Sequence, residues 1–385
     1  MESESLSSGG ANPLQGLRKH GQSVWCDTIS RGFLKSGDLL RLITEDGLGG
    51  VTSNPTIFEK AINDSTDYDE EIHALARAGR GAKQIYESLA IRDIQGAAAL
   101  LEDLFESTEG ADGYVSLEVS PHLANQTQET IEEARRLWQV VARPNVMIKV
   151  PATPAGIPAI SKLIGEGINI NVTLMFSMEH YVQVAEAYLR GLETLAEMAV
   201  SPPVASVASF FVSRVDTLVD RLLEEKEQLS KTRETRETCR SLLGRTAIAN
   251  AQLVYQEFKD VFSGNRFLLL KQKGYRVQRP LWASTSVKNP QYRDVLYIEE
   301  LVGSDTVNTM PLTTLSAFRD HGIVKTRLEH GLEDARQTFR LLKQLGIDMD
   351  AVTVKLQEDG VKLFVDSFDA LLASIETKKQ VNLKT

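Results

Sequence analysis

The sequence predicts an α/β protein, a (β/α)8 TIM barrel with additional helices between strands six and seven and at the C-terminus. Eight short segments with strand character can be counted, and helical periodicity follows each of them. Such alternation is typical of an all-parallel sheet, and eight units in series are the number that closes it into a barrel. The chain has 385 residues, of which 42% are hydrophobic and 25% charged, as in ordinary globular proteins.

The elements can be assigned in chain order. The predicted strands cover residues 23–27, 50–54, 114–119, 146–152, 168–176, 204–212, 280–286 and 307–310. One helix is predicted over residues 33–44, and a long helical region rich in Ala, Leu and Glu over residues 57–109. The run EEKEQLSKTRETRETCR between strands six and seven mixes both charges, so residues 222–243 predict a solvated helix. The C-terminal helices are expected to pack on the barrel or over its mouth.

The composition of the chain predicts the domain boundaries and excludes some classes of function. Residues 1–12 predict a flexible N-terminal tail, residues 13–374 one barrel domain that includes the C-terminal helices, and residues 375–385 a C-terminal tail. A net charge of −9 argues against nucleic acid as a partner, and no apolar run approaches the ~20 residues of a membrane span. The two cysteines are far apart and suit a reducing compartment, which predicts a cytoplasmic protein.

One lysine stands inside a predicted barrel strand. Lys149 lies in the apolar segment VMIKV, and lysine is almost never fully buried without a reason. Burial disfavours the ammonium form of a lysine, so that a neutral amine can attack a carbonyl and form a Schiff base. The alternative is a lysine at a strand end whose amine reaches water.

Polar residues recur on the inward face of six predicted strands, usually near the C-terminal end. Period-two alternation gives the inward sets Ser23 and Asp27, Thr52 and Asn54, Ser116 and Glu118, Lys149, Asn171 and Thr173, and Ser209. Barrel active sites are built at this end of the strands. Burying an acid, a lysine and several amides together is costly unless they are used or hydrogen-bonded to one another. The pattern therefore favours an active site over a purely structural network.

Seven motifs follow one another along the chain. They are WCDTISRGFL (25–34), GGVTSNPTIF (49–58), VSLEVSPHLA (115–124), MIKVPAT (147–153), GININVTLMFS (167–177), ASFFVSR (208–214) and WASTSVKNP (282–290). Together they resemble the longer bacterial-type branch of the transaldolase family, over roughly residues 12–374. The resemblance implies a circularly permuted class I aldolase barrel without metal or organic cofactor. It also implies reversible transfer of a dihydroxyacetone unit between sugar phosphates in the pentose phosphate pathway.

The resemblance implies a catalytic role for four residues. Lys149 matches the lysine that forms the Schiff base with the ketose. Asp27 matches the acid/base that takes the proton of the C4 hydroxyl and returns it to the acceptor. Glu118 matches a carboxylate that works through a water near Thr173 while the carbinolamine dehydrates.

Further residues match substrate contacts of the family. Amides that hold hydroxyls of the three-carbon unit are matched by Asn54 and Asn171. Ser209 and Arg214 match contacts to phosphate. Phe211 matches an apolar wall beside them. Family members often place a Ser and an Arg after the seventh strand, where this chain offers Ser284 and Lys288. A lysine supplies the charge but not the two-pronged guanidinium, so a solvated loop lysine is an equal alternative.

Other functions stay open at the level of the sequence. A Schiff-base sugar-phosphate aldolase or lyase would use the same lysine, and a catalytically idle barrel could bind sugar phosphates. A metal-dependent aldolase would need clustered histidines, but none of the six histidines forms an H-x₃-H pair. A pyridoxal-phosphate barrel would need a cradle for the cofactor phosphate and a partner for the ring nitrogen. The expected partners are sugar phosphates alone, and the expected state is a monomer or homodimer.

Overall fold

The computed structural model describes residues 12–198 and 203–380 of the chain. Its strands are β1 (Gln22–Cys26), β2 (Gly50–Val51), β3 (Tyr114–Glu118), β4 (Val146–Pro151), β5 (Ile170–Met175), β6 (Ser206–Phe211), β7 (Arg279–Ala283) and β8 (Thr306–Met310). They close into a barrel in sequence order, and β8 pairs in parallel with β1. The predicted eight-stranded α/β barrel is confirmed.

Helices follow every strand. Those of the first half are α1 (Pro13–Lys19), α2 (Arg31–Lys35), α3 (Asp38–Glu45), α4 (Pro55–Asn63), α5 (Asp69–Arg77), α6 (Ala82–Leu100), α7 (Glu102–Ser107), α8 (Thr127–Val141) and α9 (Gly156–Ile164). Those of the second half are α10 (Met178–Leu195), α11 (Ser213–Leu229), α12 (Arg233–Leu242), α13 (Thr246–Ser263), α14 (Asn265–Lys271), α15 (Leu296–Glu300), α16 (Leu312–His321), α17 (Leu332–Gln344) and α18 (Met349–Gln380). The predicted extra helices are therefore α11–α14, between β6 and β7, and those after β8.

Three predicted helical segments prove to be divided. Residues 33–44 form α2 and α3, which are separated where Gly37 takes a φ of 79°. Residues 57–109 hold four helices, α4–α7. Residues 222–243 belong to α11 and α12, and the Thr232 side chain caps the second helix by accepting from the Thr235 amide. Gly37 interrupts the first segment, and no apolar residue stands between Leu229 and Cys239 in the third.

Two strands end three residues earlier than predicted, and the difference bears on function. β2 ends at Val51, so Asn54 lies beyond the strand and caps α4, where its side chain accepts from the Ile57 amide at 3.0 Å. β7 ends at Ala283, because Ser284 has a φ of 55° that interrupts the extended backbone. Both residues thus stand on the loops that follow the strands, at the C-terminal end of the barrel.

The last helix is held against the C-terminal ends of the strands. Gln357 of α18 donates from Nε2 to the carbonyl oxygens of Ala152, at 2.9 Å, and Leu174, at 3.0 Å. This contact confirms that C-terminal helices pack on the barrel. The helix continues to Gln380, beyond residue 374, where the domain was predicted to end. Residues 1–11 and 381–385 of the predicted tails lie outside the described residues.

The helices of residues 12–198 and 203–380 include none that is both long and apolar enough to cross a lipid bilayer.

Replacing Gln357 by Leu should loosen α18 from the barrel. The change removes two hydrogen bonds made by a buried side chain, and each such bond is worth about 1 kcal/mol. We expect the free energy of unfolding in urea to fall by about 1–3 kcal/mol. Lys355→Gln, on the exposed side of the same helix, is the control and should leave it within about 0.5 kcal/mol. Equal stability of the two variants would show that α18 is held by other contacts.

Candidate active site

Three neighbouring strands place a row of polar side chains inside the barrel. Glu118 of β3 is in register with Lys149 of β4, and Lys149 with Asn171 of β5. Residues in register on parallel strands point to the same face, and alternate residues point away from it. The alternation seen in the sequence therefore brings an acid, an amine and an amide side by side.

Lys149 is a buried amine with two oxygen neighbours. The residue is only 5% exposed, and its Nζ donates to the Ser53 carbonyl oxygen at 2.8 Å. Nζ also lies 3.4 Å from Oε2 of Glu118. Burial raises the pKa of Glu118, and the charge of Lys149 and its hydrogen bond oppose that rise. The amine is thus inside the barrel beside a carboxyl group, not at a solvated strand end.

Asp27 supplies a second carboxyl group in different surroundings. Thr52 donates from Oγ1 to Oδ1 of Asp27 at 2.6 Å, and the same hydroxyl lies 2.7 Å from that of Thr309. Burial raises the pKa of Asp27, while the hydrogen bond from Thr52 and the charges of Lys149 and Arg214 oppose the rise. A carboxyl group with a raised pKa can accept and return a proton more readily near neutral pH.

A cavity of about 150 Å³ collects most of the predicted site residues. Those that line it are Asp27, Asn54, Lys149, Thr173, Ser209, Phe211, Arg214, Ser284 and Lys288. Two of the predicted residues, Glu118 and Asn171, do not line it. Asn171 donates from Nδ2 to Ser116 Oγ at 3.0 Å and accepts from Ser209 Oγ at 2.6 Å. Glu118 lies behind the cavity wall, where its Oε2 atom contacts Nζ of Lys149.

Positive charge gathers where β6 and β7 end. The Arg214 guanidinium carbon lies 5.2 Å from the centre of the Phe211 ring, a cation–π contact. Lys288 donates from Nζ to Ser286 Oγ at 2.7 Å. Burial lowers the pKa of Lys288, and so do the nearby charges of Arg214 and Lys60. Cations that repel one another at the wall of a cavity suit an anionic group such as a phosphate.

Some residues of the cavity were not selected from the sequence. Thr52 and Thr309 line it, and both support Asp27. Thr52 shares the inward face of its segment with Asn54, so alternation placed it correctly without identifying its use. Phe364 of α18 also lines the cavity, and no local pattern could have placed it there. Conversely, the inward Ser23 is not a site residue, because its hydroxyl donates to Asp112 away from the cavity.

The Thr173 hydroxyl is the unusual polar group of the site. It is buried, and within the described part of the chain Oγ1 has no hydrogen-bond partner. A register shift in β5 begins just before it, between Val172 and Met175, and Leu174 within that shift has a φ of 60°. Such irregularities are frequent beside active sites, where they re-aim a side chain. The shift therefore accompanies a hydroxyl that is left available to a ligand.

The fold and this constellation define a barrel with a buried lysine and two carboxyl groups, and comparisons with known proteins identify its class. The model of the transaldolase/fructose-6-phosphate aldolase family matches residues 24–375, so the chain belongs to that family. It is 45% identical to "Transaldolase 2" of Nostoc sp. over 371 residues, which cover 95% of this chain and 97% of the relative. It is 46% identical to "Transaldolase" of Thiobacillus denitrificans over 368 residues, 94% of this chain and 99% of the relative. The resemblance inferred from the motifs is confirmed.

Removing the Thr52 hydroxyl should change the protonation of Asp27. The hydrogen bond from Thr52 lowers the pKa of Asp27, so Thr52→Val should raise that pKa further. Carbon-detected NMR titration of the Asp27 carboxyl group is the measurement. Thr56→Val, which removes a hydroxyl bonded to Ser367 instead, is the matched control and should leave the Asp27 titration in place. A downward or absent shift in Thr52→Val would contradict the assignment.

Proposed function

We propose that this chain is a transaldolase of the pentose phosphate pathway. It would move a dihydroxyacetone unit from sedoheptulose 7-phosphate or fructose 6-phosphate to glyceraldehyde 3-phosphate or erythrose 4-phosphate. The observation that carries the proposal is the Lys149 amine, buried in the barrel 3.4 Å from Glu118 and lining a cavity shared with Asp27. Burying such a set is costly, which disfavours a catalytically idle barrel.

The first half of the reaction makes the Schiff base. The Lys149 amine attacks the ketose carbonyl carbon, and the resulting carbinolamine loses its hydroxyl group as water to give the imine. Glu118 is close enough to the amine to move the protons that these steps require. The unpartnered hydroxyl of Thr173 supports a role in holding the water through which Glu118 works.

The second half breaks and remakes a carbon–carbon bond. Asp27 takes the proton of the C4 hydroxyl, the C3–C4 electron pair moves into the iminium as an enamine, and the aldose leaves as an aldehyde. The enamine then attacks the acceptor aldehyde, and Asp27 returns its proton to the new alkoxide. Water adds to the product imine and releases the new ketose and the free Lys149 amine. Asn54, which lines the cavity, would hold a hydroxyl of the three-carbon unit. Asn171 would take part only if its amide left Ser116 or Ser209, to which it is bonded.

The cationic end of the cavity is the proposed phosphate site. Arg214 can bind two phosphate oxygens at once, and Ser284 can donate from its hydroxyl. Ser209 would join them by turning its hydroxyl away from Asn171, to which it donates. Lys288 adds a point charge, which makes the phosphate less sharply oriented than a second arginine would. Phe211 forms the apolar wall beside Arg214. We also propose a cytoplasmic location, supported by two free cysteines.

Simple cleavage is the alternative activity, because the family description names an aldolase beside the transaldolases. Similarity to proteins named transaldolase over nearly their whole length supports transfer. The packing of α18 supports it too, since Phe364 adds an apolar surface to the cavity. An apolar cover limits the access of water to a reactive intermediate that must wait for its acceptor.

Borohydride trapping with fructose 6-phosphate tests the Schiff base. We expect a reduced three-carbon adduct on Lys149 by peptide mass mapping, and none in Lys149→Met. Transfer to erythrose 4-phosphate by that variant should fall by ~10³-fold or more. Lys162→Met removes an exposed lysine of α9 and should keep both adduct and activity. Wild-type protein without an adduct, under conditions that trap a known Schiff-base aldolase, would refute the mechanism.

Asp27→Asn should separate imine formation from cleavage. Because Lys149 and Glu118 remain intact, the ketose should still form its imine, but the C4 hydroxyl proton has no acceptor. The trapped adduct should therefore carry the mass of the whole hexose phosphate, and turnover should fall about 10²–10⁴-fold. A three-carbon adduct formed at the wild-type rate would show that another group takes the proton. Free dihydroxyacetone released without an acceptor, as fast as transfer with one, would favour the aldolase.

A further inference from the structure

The loop after β7 carries a side chain of the proposed phosphate site but has no regular structure of its own. It runs over residues 284–295, from the end of β7 to the start of α15, and includes Lys288. Lys288 and Arg214 line the same cavity, and their like charges repel each other. Contacts that hold the loop in place would keep Lys288 at the cavity wall despite that repulsion.

Helix α11 holds the near end of the loop. The amide of Ser213 donates to the Ser284 carbonyl oxygen at 3.0 Å, and the two hydroxyls lie 2.9 Å apart. Ser213 is the first residue of α11 and Arg214 the second. The start of the loop is thus tied to the same helical turn that presents the guanidinium group.

The same helix also holds the far end of the loop, two turns further along. Tyr292 donates from its hydroxyl to Oδ2 of Asp220 at 2.8 Å. The other oxygen of Asp220 accepts from the Gly244 amide at 3.0 Å, and the residue is only 7% exposed. Gly244 has a φ of 68°, and a Cβ atom there would lie 2.8 Å from Cζ of Tyr292. The tyrosine ring therefore rests on the backbone between α12 and α13.

We propose that Asp220 and Tyr292 form a clamp that positions Lys288 opposite Arg214 for binding the substrate phosphate. Lys288 lies between the two tethered points, Ser284 and Tyr292, and α11 is the common frame for both tethers and for Arg214. Both clamp residues are positioning residues, because they act through Lys288. The inference rests on the proposed phosphate site. It gives the helices inserted between β6 and β7 a function, since Gly244 completes the clamp.

The chain contains a matched control for the clamp. Tyr297 donates from its hydroxyl to Oδ2 of Asp216 at 2.8 Å, and Oδ1 of Asp216 accepts from the Ala247 amide at 2.7 Å. This second tyrosine–aspartate pair joins α11 to α13 and α15. However, Tyr297 lies in α15, beyond the loop, so its hydroxyl should not govern the position of Lys288.

The test compares Tyr292→Phe with Tyr297→Phe in the full chain. Tyr292→Phe should raise the Kd of inorganic phosphate, measured by calorimetry, and the KM for fructose 6-phosphate about three- to tenfold. It should leave kcat and the turnover of unphosphorylated fructose unchanged. Tyr297→Phe should be less stable to urea, because a buried hydrogen bond is lost, yet should keep the wild-type Kd. An unchanged Kd in Tyr292→Phe, or an equal rise in Tyr297→Phe, would overturn the clamp.

A double-mutant cycle separates the clamp from general loosening of the structure. In a Lys288→Met background, Tyr292→Phe should not weaken phosphate binding further, because the lysine that it positions is gone. Additive losses would mean that Tyr292 acts independently of Lys288 and would also overturn the proposal. The calorimetric measurement needs no turnover. A wild-type protein that binds phosphate but fails borohydride trapping would refute the proposed reaction while still deciding the clamp.

Discussion

The burial of Lys149 is the constraint on which the site depends. An amine in the interior of a barrel needs polar partners, and it has them in the Ser53 carbonyl oxygen and the Glu118 carboxyl group. The partners come from the segment after β2 and from β3, on one side of the lysine strand, while Asn171 of β5 lies in register on the other. The closed sheet thus fixes the nucleophile by backbone register, which leaves little freedom for its side chain.

In the proposed mechanism, two carboxyl groups divide the acid–base work because their neighbours differ. Glu118 is placed against the amine and does not line the cavity, which suits proton movements during imine formation. Asp27 lines the cavity, where a substrate hydroxyl can reach it, and Thr52 fixes one of its oxygens. Burial raises the pKa of both, but an amine opposes the rise at Glu118 and chiefly a hydroxyl at Asp27. The two carboxyl groups are therefore suited to the two different steps proposed for them.

The sequence was most informative where the strands decide the structure. Alternation with period two predicts from the sequence alone that Lys149, Asp27 and Glu118 face inward, because a barrel strand has only two faces. The sequence pattern does not predict contacts that depend on tertiary packing. Gln357 and Phe364 reach the mouth of the barrel from α18, and Gln357 donates to a carbonyl oxygen 205 positions earlier in the chain. No local pattern encodes such a contact.

This difference also separates the two ends of the substrate site. The groups proposed for bond making stand on strands or directly after them, so the barrel itself keeps them in place. The groups proposed for phosphate stand on the first turn of α11 and on a loop, where the sheet gives no support. Precision there requires contacts from outside the barrel, such as Ser213 with Ser284 and Asp220 with Tyr292. The long insertion between β6 and β7 therefore has a structural role in this proposal. It supports the phosphate end of the site, which the strands do not reach.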